Sequence, residues 1–185
     1  MSGAQVWSDY VTDRALGTIR VWATTDGIRR IDFRSGRDLL RPGEALSTGT
    51  SPSHLADALA ALAEYFRRGR QTFGLPLDLS AVTPFQRRVY ERLLRIPYGH
   101  VATYGEVARD IGKEPTTARA VGQAVGANPV AIVIPCHRVV AADGRLVGFG
   151  GGIARKAALL RLEGIDVDGS RPSLRIHPEV IQLPL

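Results

Sequence analysis

The sequence predicts a mixed α/β (α+β) chain of two domains. Residues 1–80 form a small β-rich N-terminal domain with one helix. Residues 81–165 form a helical domain with a winged helix-turn-helix-like motif. Three observations predict this plan. Apolar residues alternate in the first third of the chain. Apolar stripes of helical period, with capping signals, dominate residues 81–165. Between them, "RQTFGLPLDLSAV" carries Pro76 and no helical period, so it reads as the connection. A length of 185 residues with 44% hydrophobic side chains suffices for a buried core in each part.

The elements follow in order. "GTIRVWA" places Ile19, Val21 and Ala23 on one face of a strand. "TTDG" then turns the chain at Asp26-Gly27, a hairpin signal, into the strand "IRRIDF". "SPSHLADALAALAEYFRRG" predicts a helix capped by Ser51 or Ser53, with Pro52 in the first turn and Gly69 as its stop. Its inward face is Leu55, Leu59, Leu62 and Phe66. "TPFQ", residues 83–86, is a capping box with proline at the first helical position. Phe85, Val89, Leu93 and Ile96 continue its apolar face until Pro97 and Gly99.

Thr103 is placed to cap a short helix that ends at Gly112, and a second helix, "TTARAVGQAVGAN", follows a tight turn. Together they make the helix-turn-helix pattern. "VAIVI", residues 130–134, reads as a buried strand. "VVAADGRLVGF" reads as a winged hairpin turning at Asp143-Gly144. "GGIARKAALLRLEG" is a last helix with Leu159, Leu160 and Leu162 inward and Gly164 as its stop. Residues 166–185 form a Pro-containing tail with no assignable element or role.

Composition excludes several classes. The apolar run "VAIVI" is far shorter than the roughly 20 residues a membrane-spanning helix needs. "MSGAQVWSDY" lacks the basic and apolar regions of a secretory signal. A single cysteine forms no internal disulfide and fits a reducing, cytoplasmic compartment. Four scattered histidines (His54, His100, His137, His177) and one thiol show no metal-binding spacing. The net charge of +6 is uneven. Residues 1–80 carry 10 basic and 9 acidic side chains, residues 81–165 carry 12 and 6, and residues 166–185 carry 2 and 3. The excess therefore lies in the helical domain, and 22 of the 24 basic residues are arginine, which suits phosphate contacts.

That domain also holds the chemistry. In "IVIPCHRVV" the only cysteine, Cys136, sits between Pro135 and the basic pair His137-Arg138. A lone cysteine in an apolar run is usually an inert small hydrophobe. Here cationic neighbours favour a thiolate, and Pro135 turns the chain in a way expected to lift the sulfur out of the core. Glu163, near the end of the last helix, completes a triad if it reaches His137 and fixes the imidazole. In the second helix of the pair, Ala118, Gly122 and Gly126 fall at i, i+4 and i+8, a flat face suited to close approach. Arg119 projects from it. A Cys-His couple alone serves many thiol enzymes, so a thiol hydrolase is an alternative.

"IPYGHVATYGEVA", "TARAVGQAVGANP", "NPVAIVIPCHR" and "GFGGGIARKAALLRLEG", in this order from about Phe85 to Gly164, resemble the O6-alkylguanine-DNA alkyltransferase (methylated-DNA–protein-cysteine methyltransferase) family. The N-terminal half resembles it only in size and strand–helix plan, ribonuclease-H-like in the family. The resemblance implies repair of O6-alkylguanine in double-stranded DNA, approached through the minor groove, without a cofactor or metal. The alkyl group moves irreversibly to Cys136. His137 activates the thiol through a water, Glu163 orients His137, Asn128 organises the adjoining loop, and Tyr104 assists departure of the flipped base. Arg119 fills the gap in the duplex, with Thr117, Ala118, Gly122 and Tyr104 against the DNA. Val125, Val139, Phe149 and Gly150 line the base pocket. Many members carry Tyr or Ser where this chain has Phe149-Gly150, which leaves a backbone N–H to contact the base. The resemblance further implies a monomer, with room for cooperative assembly on DNA. A non-catalytic binder of alkylated DNA is the related alternative, and the presence of Cys136 argues against it.

Overall fold

The computed structural model describes residues 4–33, 44–169 and 174–176, so His177 and part of the tail lie outside the described residues. Two compact units divide after Ala81. In the first, β1 (Ala4–Asp13), β2 (Gly17–Ala23), β3 (Ile28–Asp32) and β4 (Glu44–Leu46) form a sheet in the order β3-β2-β1-β4. β1 pairs antiparallel with β2 and parallel with β4. The expected face of Ile19, Val21 and Ala23 is buried, and Trp22 on the opposite face is buried as well. The β2–β3 turn closes with Thr24 N–H donating to Gly27 O at 3.0 Å. Gly27 is required there, because a Cβ would sit 2.7 Å from the Pro76 carbonyl.

Helix α1 (Ser53–Phe66) packs on β1 and β2. Its start differs from expectation: Pro52 occupies the cap position, and no serine side chain caps the helix. Its buried face is Leu55, Ala58, Ala61, Leu62 and Tyr65, whereas Leu59 and Phe66 are only half-buried. The chain reverses one residue before the expected glycine. Arg68 takes φ +61°, its N–H donates to Tyr65 O, and Gly69 N–H donates to Glu64 O. That is a Schellman closure with arginine in the left-handed position.

The second unit contains α2 (Pro84–Leu93), β5 (Ala102–Thr103), α3 (Tyr104–Asp110), α4 (Ala118–Gly126), β6 (Val139–Val140) and α5 (Ile153–Leu162). The expected capping box forms between Thr83 and Gln86, and the expected cap at Thr103 turns out to be a capping box with Glu106 as well. Phe85 is half-buried, and Ile96 lies in the core beyond the end of α2. α3 and α4 pack as the helix pair, and β5 and β6 run parallel. α5 ends at Gly164, φ +84°, as expected, although Leu162 is half-buried.

"VAIVI" is not a strand. All five residues are buried, but Ile132 takes φ +75° and Ile134 N–H donates back to Val130 O at 2.9 Å, so the segment is a tight internal turn. The Asn128 side chain supplies what a strand partner would have supplied. Its Oδ1 accepts from Val130 N–H at 3.0 Å and its Nδ2 donates to Ile134 O at 2.9 Å. A β-branched residue in the left-handed region stores strain, and it does so two residues before the chain reaches Ile134 and Pro135. The tail is also structured in part. Val167, Leu174 and Ile176 join Val101, Val140, Leu146, Ala157, Leu160 and Ile165 in one apolar cluster.

Candidate active site

Cys136, His137 and Arg138 form a single 3-10 turn after Pro135. Such a turn points three successive side chains about 120° apart, so the three groups do not share a face. All are buried: 4%, 0% and 5% exposed. The expectation that Pro135 lifts the thiol out of the core is therefore not met. Burial pushes the Cys136 thiol pKa up. A hydrogen bond from Asn128 and the charge of Lys156 oppose this without reversing it. The resting group is a thiol rather than the nearly ionised sulfur that its basic neighbours suggested.

The other two side chains of the turn converge on one acid. His137 Nε2 lies 2.8 Å from Glu163 Oε1, with both side chains fully buried. Arg138 donates from Nε to Oε2 at 2.9 Å and from Nη2 to Oε1 at 2.8 Å, and its Nη1 donates to Ile96 O at 2.6 Å. The Gly99 amide adds a fourth donor at 3.2 Å. Burial alone would raise the Glu163 pKa, but His137 and Arg138 hold it well below the usual carboxylate range. An ionised carboxylate only accepts, so His137 carries its proton on Nε2, and Nδ1 is the basic nitrogen. Burial lowers the His137 pKa against the pull of Glu163, which keeps the ring neutral. Arg138, whose place in the motif the sequence did not explain, is the counter-charge that lets a carboxylate be buried beside a neutral histidine.

Tyr104 opens α3 directly after the Thr103 cap. Its hydroxyl donates to Val147 O at 3.1 Å, and burial with the nearby Cys136 pushes its pKa up to about 12. Gly122 of α4 faces the same ring: a Cβ there would meet Tyr104 at 3.8 Å. Gly148 follows Val147 at φ +59°, where a Cβ would lie 3.0 Å from the Tyr104 oxygen. Val139 is fully buried in β6, Val125 is buried in α4, Phe149 is half-buried and Gly150 is exposed.

Two groups escaped sequence reasoning. Lys156 of α5 is fully buried and donates to Val139 O and Val147 O at 2.5 Å and 2.6 Å. Its ammonium lies 6.0 Å from the Tyr104 ring centre, and burial lowers its pKa to about 8. It precedes Leu159 and Leu160 by three and four residues, so the helical period that placed those leucines inward also places Lys156 inward. Tyr90 of α2 donates to Ala124 O at 3.0 Å, tying α2 to α4. On the outer side of the helix pair, Arg119 is exposed at the start of α4, with Thr117 and Ala118 half-buried beside it. Among the described residues no helix is long and apolar enough to cross a membrane.

Two domain models of one family match: the 6-O-methylguanine DNA methyltransferase DNA binding domain over residues 84–165, and its ribonuclease-like domain over residues 10–79. A methylated-DNA–protein-cysteine methyltransferase of Mycobacterium tuberculosis is 52% identical over 112 residues, 60% of this chain and 67% of the relative. One from Salmonella typhimurium is 45% identical over 156 residues, 78% of this chain and 89% of the relative. The crystal structure of Mycobacterium tuberculosis OGT in complex with DNA matches with a TM-score of 0.72 at 38% identity, over 86% of this chain and 92% of that one. Two matched domains and relatives aligned over most of their length make this chain a member of the 6-O-methylguanine DNA methyltransferase family.

Proposed function

We propose that the protein repairs DNA by direct reversal, moving the alkyl group of O6-alkylguanine to its own Cys136. The observation that carries this reading is the buried His137–Glu163 pair at 2.8 Å, joined through the backbone to the only thiol in the chain. The thiol rests protonated. His137, neutral and basic at Nδ1, accepts its proton through a water, and Glu163 stabilises the imidazolium that forms. The sulfur attacks the alkyl carbon, an S–C bond forms and the C–O6 bond breaks. The phenol of Tyr104, kept protonated by its raised pKa, supplies a proton near N3 so that guanine leaves neutral. The thioether is stable, so each molecule acts once and no cofactor enters.

A guanine inside the duplex keeps O6 out of reach of a buried sulfur, so the nucleotide must be extruded at a cost of a few kcal/mol. Exposed Arg119, on a helix where Ala118 is half-buried and Gly126 exposed while Gly122 makes room for the Tyr104 ring, is suited to fill the vacated stack from the minor groove. Asn128 steadies the turn behind the thiol. Val125, Val139, Phe149 and Gly150 form the pocket wall in this reading. The protein acts on DNA as a monomer, with assembly along the strand open to titration. Mixed with excess duplex containing one O6-methylguanine, it should restore guanine up to one equivalent per protein and then stop. Continued turnover, or full repair by Cys136→Ser, contradicts the proposal.

A further inference from the structure

We propose that the described residues beyond the family's domain match, 166–169 and 174–176, act as a brace that positions the pocket loop for alkyl transfer. The inference rests on the reading of Tyr104 and the loop at Phe149-Gly150 as the base pocket. Its evidence lies in how the tail meets the wing, here the turn over residues 141–146 closed by Ala141 N–H donating to Arg145 O at 3.1 Å. Leu146 N–H donates to Leu174 O at 2.9 Å, and Ile176 N–H donates to Gly144 O at 3.0 Å. Arg175 is bridged on its other side to Asp168, with bonds of 2.9 Å and 3.1 Å in the two directions. Residues 174–176 are therefore an extended segment held by isolated bridges, to Arg145 of the wing on one side and to Asp168 on the other. Their side chains obey the strand period: Leu174 and Ile176 are buried, and Arg175 between them is exposed.

The join is specific to glycine. Gly144 takes φ +78°, and a Cβ there would lie 2.3 Å from the Ile176 carbonyl oxygen. Any side chain at 144 would force the tail away from the wing. One residue beyond the tail-bonded Leu146 stands Val147, whose carbonyl accepts from both the Tyr104 hydroxyl and the Lys156 ammonium. Gly148, Phe149 and Gly150 follow at once. The tail thus holds the backbone register of residues 144–146, and that register sets the carbonyl to which Tyr104 is tied. A displaced wing would move the proton donor and the pocket wall together. Misplacement of about 1 Å in such a site slows chemistry by roughly 100-fold.

The test uses the full chain with Ile176→Ala, the milder Leu174→Val and the conservative Ile176→Val. Single-turnover transfer is measured at saturating duplex, well below each variant's melting temperature, and scaled to the folded fraction from circular dichroism. O6-methylguanine and the bulkier O6-benzylguanine are compared. A brace predicts about a tenfold or greater loss of transfer per folded molecule for Ile176→Ala. The loss should be larger for the benzyl group, and Ile176→Val should restore most of it. Amide exchange at Val147 and Gly148 should quicken in step. If Ile176→Ala does not fold, Leu174→Val carries the test: the brace predicts slower transfer per folded molecule for Leu174→Val and a nearly unchanged rate for Ile176→Val. Unchanged rates per folded molecule on both substrates, whatever the melting temperature, overturn the brace. If the parent chain itself transfers nothing, the underlying functional reading fails instead.

Discussion

Replacing Glu163 with Gln removes one charge from the centre of the buried network while keeping the shape of the side chain. The carboxylate accepts from His137 at 2.8 Å, from Arg138 at 2.9 Å and 2.8 Å, and from the Gly99 amide at 3.2 Å. In Glu163→Gln the guanidinium of Arg138, 5% exposed, keeps the Ile96 carbonyl but loses its counter-charge. Removing one partner of a buried ion pair costs about 3–5 kcal/mol. A domain's whole stability is about 5–15 kcal/mol, so the variant should fold but unfold at a much lower denaturant concentration. His137 also loses the anion that stabilises its protonated form. Transfer from O6-methylguanine should slow by about 10²–10⁴-fold, the usual worth of a positioned base. Urea unfolding followed by circular dichroism gives the first number, and single-turnover repair under folding conditions gives the second. A stability loss below about 1 kcal/mol, as for an exposed pair, together with unchanged transfer would refute both the counter-charge and the relay.

Three further outcomes are expected. Stability should fall steadily on acidification. The folded His137 pKa lies below its usual 6.5, so the unfolded chain takes up that proton first, and stability is lost as pH drops below about 6.5. The Glu163 contribution is full above its usual 4.5 and is lost below it, in the same direction. A melting temperature flat from pH 7 to pH 4 would contradict this. Arg68→Gly, at φ +61°, should stabilise the N-terminal unit by about 1 kcal/mol by relieving the left-handed conformation; a destabilised variant in chemical denaturation would count against it. Arg119→Ala should slow repair in duplex DNA far more than transfer from free O6-benzylguanine, and equal losses on both would remove Arg119 from the role of filling the duplex.

Legibility in the sequence followed the range of the interactions. The capping box at Thr83, the cap at Thr103 and the stop at Gly164 were readable because each is settled within four residues. The Cys-His-Arg motif was readable as a nucleophile with basic neighbours, but not its electrostatics. The expected pairing of His137 with Glu163, 26 residues away, forms, but sequence adjacency also suggested that Arg138 acts on the sulfur, whereas the 3-10 turn sends it to the same Glu163 and the thiol stays protonated. "VAIVI" misled because five buried apolar residues fit a strand and a buried turn equally. The deciding interaction is the Asn128 side chain, which no apolar period reveals. Lys156 was hidden by its residue type, since lysine is almost never fully buried, although its helical position pointed inward. The tail was opaque because Leu174 and Ile176 have meaning only against the wing at Gly144 and Leu146.

The most direct test of the central claim is the intact mass of the protein after incubation with a duplex containing O6-methylguanine. The account predicts a gain of one methyl group, mapping by peptide fragmentation to Cys136 and absent in Cys136→Ser. Tight binding with no change in mass, or a methyl group that maps elsewhere and persists in Cys136→Ser, would contradict it.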